Sequence, residues 1–551
     1  MLYRDICRVL SFYLWILAIP LCLPLFFAVY CEWIAGPEIY PQPPSALAFV
    51  LTILIAVSLG GLFWLLGKKG TGHLYRREAL LLVILVYLLT PFIGSLPFLL
   101  SRTLSNPIDA FFEATSGLTT TGATIMEAKD YDPKTKQNHP IKHSFVTGQK
   151  KTYTYYGTIS PVVNPETYEV IYSGIEAVSP PLLLWRSFMQ WLGGGGIIVL
   201  FVAILPMLGV GGKILFQTEV TGPSTESIFP RIKDTASQLW KVYVGLSVVE
   251  IFFLMITNAK MSLFDAVTVT FSTISTGGFT PKNEGIAAYQ SNYTDGIIMI
   301  FMILGSVSFL LYFFCMKGKF SRLNDSELKA FLLIIAFAII LTMWQLIGQP
   351  ISLIFPNEPE GKINIFKAFH YGAFEVISLQ TSTGFSIANY NIWPFSVQVL
   401  LLVLMYVGGM AGSTAGGIKI VRHQTFFRIL INKIDSIYRP DTVHSYRVGT
   451  TVIDNPAAIT VLCFFMVAAL LAIIGTFLFV LDGIDPETSL TSISCMMNNV
   501  GIAFRMGGPT ESFAFLSNFG KIIGSLWMIA GRLEYFAILI AFVPAFWRTS
   551  Y

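Results

Sequence analysis

The sequence predicts an all-α polytopic membrane protein with about ten transmembrane helices, on three observations. Of its 551 residues, 54% are hydrophobic and 12% charged, about half the roughly 25% charged share of an average soluble protein. Apolar runs repeatedly reach the roughly 20 residues needed to cross a bilayer core, and the short basic loops between them all fall on one side. A polar, glycine-containing stretch is written four times, each copy after a short amphipathic run. Internal repetition of this kind sets the whole architecture.

The first two spans are expected at about Leu10–Tyr30 and Ser45–Leu66, with Glu32 and Glu38 between them and Lys68, Lys69, Arg76 and Arg77 after them. Short basic loops stay cytoplasmic, so Arg4 and Arg8 lie inside. Spans three to ten follow at about Ala79–Leu100, Leu182–Leu208, Val242–Ile256, Gly296–Met316, Ala330–Ile354, Val397–Val421, Ala457–Leu481 and Phe513–Phe546. Further basic linkers at 317–329 and 419–447 keep this order, which puts both termini in the cytoplasm and all four polar stretches outside. Residues 127–179 are polar and partly alternating, an external insertion with β-hairpin character. Long loops are translocated largely regardless of charge, so its lysines leave the topology unchanged, and it reads as decoration. The six cysteines have no metal-ligand spacing and read mostly as buried small hydrophobes. The six histidines sit in loops or near span ends, without the clusters an intramembrane enzyme requires; the chain is not read as an enzyme.

The repeated stretches are Thr119–Thr124, Ser275–Thr280, Thr381–Ser386 and, more loosely, Asn498–Ala503. Their glycines, Gly122, Gly278, Gly384 and Gly501, lie 156, 106 and 117 residues apart, the first interval enlarged by the insertion. Each stretch follows a run that opens on Asn, Ser or Asp: Asn106–Ser116, Ser262–Ile274, Asn364–Leu379 and Asp485–Met497. A short helix entering a glycine-containing strand lines a narrow passage with backbone carbonyls, which replace a cation's hydration shell. The helix C-termini turn their negative ends to the same passage. The architecture is therefore four pseudo-repeated helix–pore-loop–helix units around one central pore, plus two N-terminal helices. The expected divisions are 1–77 for the extra helices, 78–212 and 213–317 for repeats one and two, 318–447 for repeat three and 448–551 for repeat four. The ion-binding residues are Thr120, Thr121, Gly122, Thr276, Gly277, Gly278, Ser382, Thr383, Gly384, Asn499, Val500 and Gly501.

Span eight is interrupted at 408–417 by Gly408, Gly409, Gly412, Gly416 and Gly417. Each glycine costs a helix about 1 kcal/mol relative to alanine, and irregular backbone at membrane depth survives where it is buried in protein or lines water. A pore-facing loop is favoured over close helix packing. For Gly193–Gly196 in span four, close packing is the reading. Arg532 lies deep in span ten, where a charge faces a cavity or a partner. Glu534, two residues on, is an awkward partner because it projects from a different face. Glu113 in the first short helix is a hydrogen-bonding anchor or an ion ligand.

These residues carry a resemblance. The stretches TTTGAT at 119–124, LLLWRSFMQWLGGGGIIV at 182–199, ILPMLGVGG at 204–212, STGGFT at 275–280, GGMAGSTAGGIK at 408–419, NNVG at 498–501 and GRLE at 531–534 are similar to the membrane subunit of the Trk/Ktr/HKT superfamily of potassium transporters, most of all its TrkH-like members. The resemblance covers nearly all the chain outside the insertion, which is unusual for that family. It implies K+ as the permeant ion with no organic cofactor, a bacterial inner-membrane location, assembly as a homodimer in lipid, and no role for nucleic acid. It also implies a separate cytoplasmic nucleotide-binding regulatory subunit, gating by the broken span eight, and a pore-side barrier at Arg532. Na+ permeation or Na+ coupling on the same fold remains open, because threonine-rich strands bind either ion.

Overall fold

The computed structural model describes residues 3–70, 74, 76–132, 137–147, 149–164, 166–167, 169–196, 232–354, 361–439, 446–448, 451–453 and 455–548. The end of span four, the ILPMLGVGG stretch and the boundary between repeats one and two lie outside the described residues.

Helix α1 (Tyr3–Val29, continued by a π-helical turn Tyr30–Ala35) packs along α2 (Ala46–Gly67). A Cβ at Gly67 would sit 2.5 Å from the Arg8 amide, and one at Gly60 inside the Trp15 ring, so the glycines set how closely this pair approaches. Helix α3 (Arg76–Leu100) follows, then the first short helix, α4 (Pro107–Leu118). The insertion then forms antiparallel pairs: β1 (Asp130–Asp132) with β2 (Gln137–His139), β3 (Ile141–Thr147) with β4 (Gln149–Tyr155), and β5 (Val162–Val163) with β6 (Val170–Tyr172). It is more than decoration. Tyr153 and Tyr155 pack against Met506 and Ala514, and the Tyr153 hydroxyl donates to Asp485 at 2.5 Å, tying the hairpin to the mouth of repeat four.

Helix α5 (Pro180–Trp191) runs into a π-helical turn, Leu192–Gly196. Repeat two supplies α6 (Ile232–Thr257), the short α7 (Leu263–Ile274), α8 (Asn292–Ser306) and α9 (Phe309–Met316). Repeat three supplies α10 (Ser326–Leu346), the short α11 (Ile365–Gln380), α12 (Phe395–Tyr406) and α13 (Ile420–Tyr438). A small hairpin, β7 (Tyr446–Val448) and β8 (Thr451–Ile453), precedes α14 (Asn455–Leu481), the short α15 (Pro486–Asn498), α16 (Asn518–Arg532), α17 (Phe536–Leu539) and α18 (Pro544–Trp547).

Among the described residues six helices are long and apolar enough to cross a membrane, and two bent pairs raise that to eight. Span four is not counted because its end lies outside the described residues; the other differences from ten have physical causes. Span six turns by 93° between α8 and α9, and span ten by 115° after Arg532, where Glu534 and Tyr535 both take positive φ. Span eight is the single helix α12 followed by the glycine-rich segment, and the basic linker after it is the helix α13. Spans α10 and α14 bury only 22% of their apolar windows, against 67% for α3; their outward faces are for lipid. Of the cysteines only Cys31 and Cys495 are buried, and Cys463 is exposed on α14.

Candidate functional site

Each short helix begins where its cap predicts. The side chains of Asn106, Ser262, Asn364 and Asp485 accept from the backbone N–H of Ile108, Asp265, Lys367 and Thr488 at 2.9–3.1 Å, satisfying donors that a helix start leaves free. All four helices end alike. The amides of Thr121, Gly277, Thr383 and Val500 reach back to the carbonyls of Ser116, Ser272, Ser378 and Cys495, five residues earlier, at 2.7–3.0 Å. This closure requires a left-handed residue one position before, and Thr120, Thr276, Ser382 and Asn499 take φ of 52°, 54°, 55° and 54°. Threonine there costs on the order of 1–3 kcal/mol; asparagine adopts it readily. The looser fourth copy therefore has the same backbone as the other three. Two residues on, Gly122, Gly278, Gly384 and Gly501 have φ of 83°, 80°, 76° and 95°. The expected extended strands are thus alternating left-handed turns. With the amides committed to the helices, the carbonyls face away from them.

The four stretches close on one another. A Cβ on Gly122 would collide with the Gly277 carbonyl, one on Gly278 with that of Thr383, one on Gly384 with that of Val500, and one on Gly501 with that of Thr121. The order runs from the first repeat through the fourth and back, so the four surround a single axis. Eight of the twelve residues singled out in the sequence make these contacts, and the other four, Thr120, Thr276, Ser382 and Asn499, are the left-handed residues directly before them.

A polar scaffold sits behind this ring. The fully buried Glu113 carboxylate accepts from Arg186 Nε at 2.6 Å, the Ile125 amide at 3.0 Å and the Thr124 hydroxyl. Arg186 also donates to the Thr280 carbonyl at 3.1 Å and stacks 3.5 Å from the Phe279 ring centroid, joining the first stretch to the second. Gln190 clasps the second stretch, donating to the Gly277 carbonyl and accepting from the Phe279 amide. Glu375 stands in repeat three where Glu113 stands in repeat one, accepting from Ser386 and the Ile387 and Ala388 amides. Asn499 bridges Thr121 Oγ1 and the Met528 carbonyl. Glu113 is thus an anchor. Sequence reasoning does not single out Arg186, Gln190 and Glu375, although the interval from glutamate to the glycine of the repeated stretch is shared by Glu113 and Glu375.

The segment 407–419 folds back on itself beneath the ring. Gly408 donates to Ile418 and Ile418 to Tyr406, and Gly408 and Gly417 touch through their backbones. Gly412 and Gly417 take φ of 76° and 67°. The segment enters the break in span six: Met410 and Thr414 amides donate to the Ser306 and Gly305 carbonyls, and the Phe309 amide to the Gly412 carbonyl. Two interrupted helices thereby satisfy each other's freed groups, the condition for irregular backbone at membrane depth. The break was readable only as Gly305-Ser306-Val307-Ser308. The Glu327 carboxylate holds the far end, accepting from the Ala411 amide at 2.8 Å and the Val421 amide at 3.2 Å.

Arg532 donates to the Thr414 carbonyl at 2.9 Å and the Gly193 carbonyl at 2.8 Å. No carboxylate pairs with Arg532 among the described residues, whereas Glu534 pairs with Arg422 at 2.6 Å. The packing reading of the glycine run in span four holds, since a Cβ on Gly193 would strike the Leu118 carbonyl.

Residues 167–549 match the family model TrkH, described as a cation transport protein. The chain is 30% identical over 508 residues to the Trk system potassium uptake protein TrkH of Salmonella typhimurium, covering 91% of this chain and 92% of that one. It is 28% identical over 554 residues to the Trk system potassium uptake protein TrkG of Escherichia coli, covering 99% of each. The crystal structure of the potassium transporter TrkH from Vibrio parahaemolyticus superimposes with a TM-score of 0.77 at 26% identity, over the full length of both chains. The chain belongs to the TrkH family of cation transport proteins, a family of transporters and not of enzymes.

Proposed function

We propose that this protein takes up potassium across the bacterial inner membrane, K+ passing singly through the ring of carbonyls contributed by the four repeats. The observation that carries the reading is the closed ring of four glycines, each against the carbonyl of the next repeat. The printed names of its relatives support the choice of ion. A cation entering the ring exchanges hydration water for carbonyl oxygen, and the short helices direct their negative ends to the same place. The scaffold of Glu113, Arg186, Gln190, Glu375 and Asn499 keeps the carbonyls from collapsing inward when no ion is present.

In this reading the divisions 1–77, 78–212, 213–317, 318–447 and 448–551 are the two extra helices and the four repeats, with termini inside and filter mouths outside. The segment 408–417 is the gate, with Arg532 beside it as an electrostatic barrier. Two copies assemble in the membrane, and a separate cytoplasmic nucleotide-binding subunit acts on the gate through the basic face of repeat three.

The test is Gly→Ser at Gly122, Gly278 and Gly384 in proteoliposomes. Each added side chain meets a backbone carbonyl, so the K+/Na+ flux ratio falls in all three. An unchanged ratio in all three, at normal protein levels, rejects the filter; a wild-type ratio near unity favours the sodium-permeable reading.

A further inference from the structure

The segment 407–419 is bonded to the base of the ring itself. Its Thr414 hydroxyl donates to the Ile274 carbonyl at 2.9 Å, at the foot of the second stretch. Its Gly417 amide donates to the Asn498 carbonyl at 2.9 Å, at the foot of the fourth. Its Gly416 amide donates to Ser382 Oγ at 2.5 Å, at the foot of the third. The last of these ends on a side chain, and it breaks the equivalence of the repeats. Thr276 holds the matching place in repeat two and its hydroxyl donates to the preceding carbonyl, that of Ser275, at 2.7 Å. Ser382 makes the same bond to Thr381, at 2.7 Å. With its proton so committed, the Ser382 oxygen presents a lone pair elsewhere, and the Gly416 amide takes it. Ser382 is about 1% exposed, so water does not compete for that lone pair. A Cβ on Gly416 would collide with the Asn498 carbonyl, so nothing larger than glycine brings the amide this close.

We propose that Ser382 is a positioning residue for gating: its hydroxyl latches the glycine-rich segment shut against the base of the filter. The inference rests on the gate reading above. Opening the segment breaks this bond, and the bond re-forms only when Gly416 returns beneath the third stretch. Filter and gate then share one residue, whose backbone belongs to the ion path and whose side chain belongs to the gate.

The test uses full-length protein in proteoliposomes, with K+ flux normalised to monodisperse protein. Ser382→Ala removes the acceptor and raises flux about fivefold, the factor one hydrogen bond is worth. Ser382→Thr restores the hydroxyl in a residue that already adopts this backbone at Thr120 and Thr276, and its flux lies below that of Ser382→Ala. Ser382→Cys, a weaker acceptor of similar size, falls between and serves if the alanine variant folds poorly. The same substitutions are then made in a protein lacking residues 409–416, where Ser382→Ala has no further effect. A wild-type flux in Ser382→Ala, while the deletion raises flux, overturns the latch and leaves the gate standing. An equal rise with and without the segment also overturns it, because the hydroxyl then acts on the filter alone. A deletion that leaves flux unchanged overturns the gate reading and the latch together.

Discussion

Arg532→Ala is the perturbation whose size the geometry fixes best. The guanidinium makes two hydrogen bonds, at 2.9 and 2.8 Å, one to the Thr414 carbonyl in the segment beneath the ring and one to the Gly193 carbonyl at the end of the span-four helix. Bonds from a charged donor contribute about 1.5–3 kcal/mol each, so losing the one to Thr414 alone weakens the closed arrangement by at least about 1.5 kcal/mol. The charge acts separately. A cation passing about 6 Å away at an effective dielectric near 20 is opposed by roughly 3 kcal/mol, less after screening by water and nearby carbonyls. Either contribution alone predicts a rise in flux of at least about tenfold, since about 1.4 kcal/mol is a factor of ten. Arg532→Lys keeps the charge but not the fork that spans two carbonyls, so its flux lies between wild type and alanine, nearer wild type. Because no described carboxylate depends on Arg532, folded yield stays level. The assay is K+ uptake per folded protein, with yield by size exclusion. A flux that falls or stays level in the alanine variant refutes the barrier, and lysine matching alanine refutes the role of charge.

Four further outcomes follow from the scaffold. Arg186→Ala leaves the fully buried Glu113 carboxylate without its cation, a loss of about 3–5 kcal/mol; folded yield drops sharply, and Glu113→Gln in the same chain restores part of it. Glu534→Gln, which uncouples Arg422, lowers thermal stability by about 1–3 kcal/mol in a melting experiment. Tyr153→Phe removes the bond to Asp485 and costs about 1 kcal/mol, seen as a lower melting temperature with ion flux retained. Burial raises the carboxyls of Glu127 and Glu511 above the ordinary carboxylate range. A raised carboxyl binds its proton more tightly when folded, so the stabilisation is present at low pH and lost as pH rises through the raised value. Glu127→Gln with Glu511→Gln therefore flattens the melting-temperature profile just above the ordinary carboxylate range, and an unchanged slope contradicts it.

Much of this architecture is legible in the residues, and the reason is local. The caps at Asn106, Ser262, Asn364 and Asp485 announce four helix starts, and a glycine 16 residues on in three repeats and 20 in the third announces each ending. Asn499 looked like the odd member of the set, yet it is the residue best suited to the left-handed turn that Thr120, Thr276 and Ser382 adopt at a cost. Less legible was everything decided between distant segments. Nothing near Ser306 reveals that a loop some 100 residues later fills the break in span six. Glu327 reads as the first turn of a span until its two amide partners are seen. The docking of Tyr153 on Asp485 joins residues 332 positions apart, which periodicity does not reach. Arg532 and Glu534 find different partners, as expected, but for a reason the sequence does not show: the helix ends at Arg532 and Glu534 lies in the bend that follows, with positive φ.

The central claim is that one polypeptide surrounds a potassium-selective path. Its most direct test is ion flux into proteoliposomes holding the wild-type chain, with K+ and Na+ gradients imposed separately and membrane potential recorded. The account predicts a reversal potential that follows the K+ gradient and barely responds to Na+. A potential that follows both ions equally, or uptake of K+ only when a Na+ gradient is also present, would contradict it.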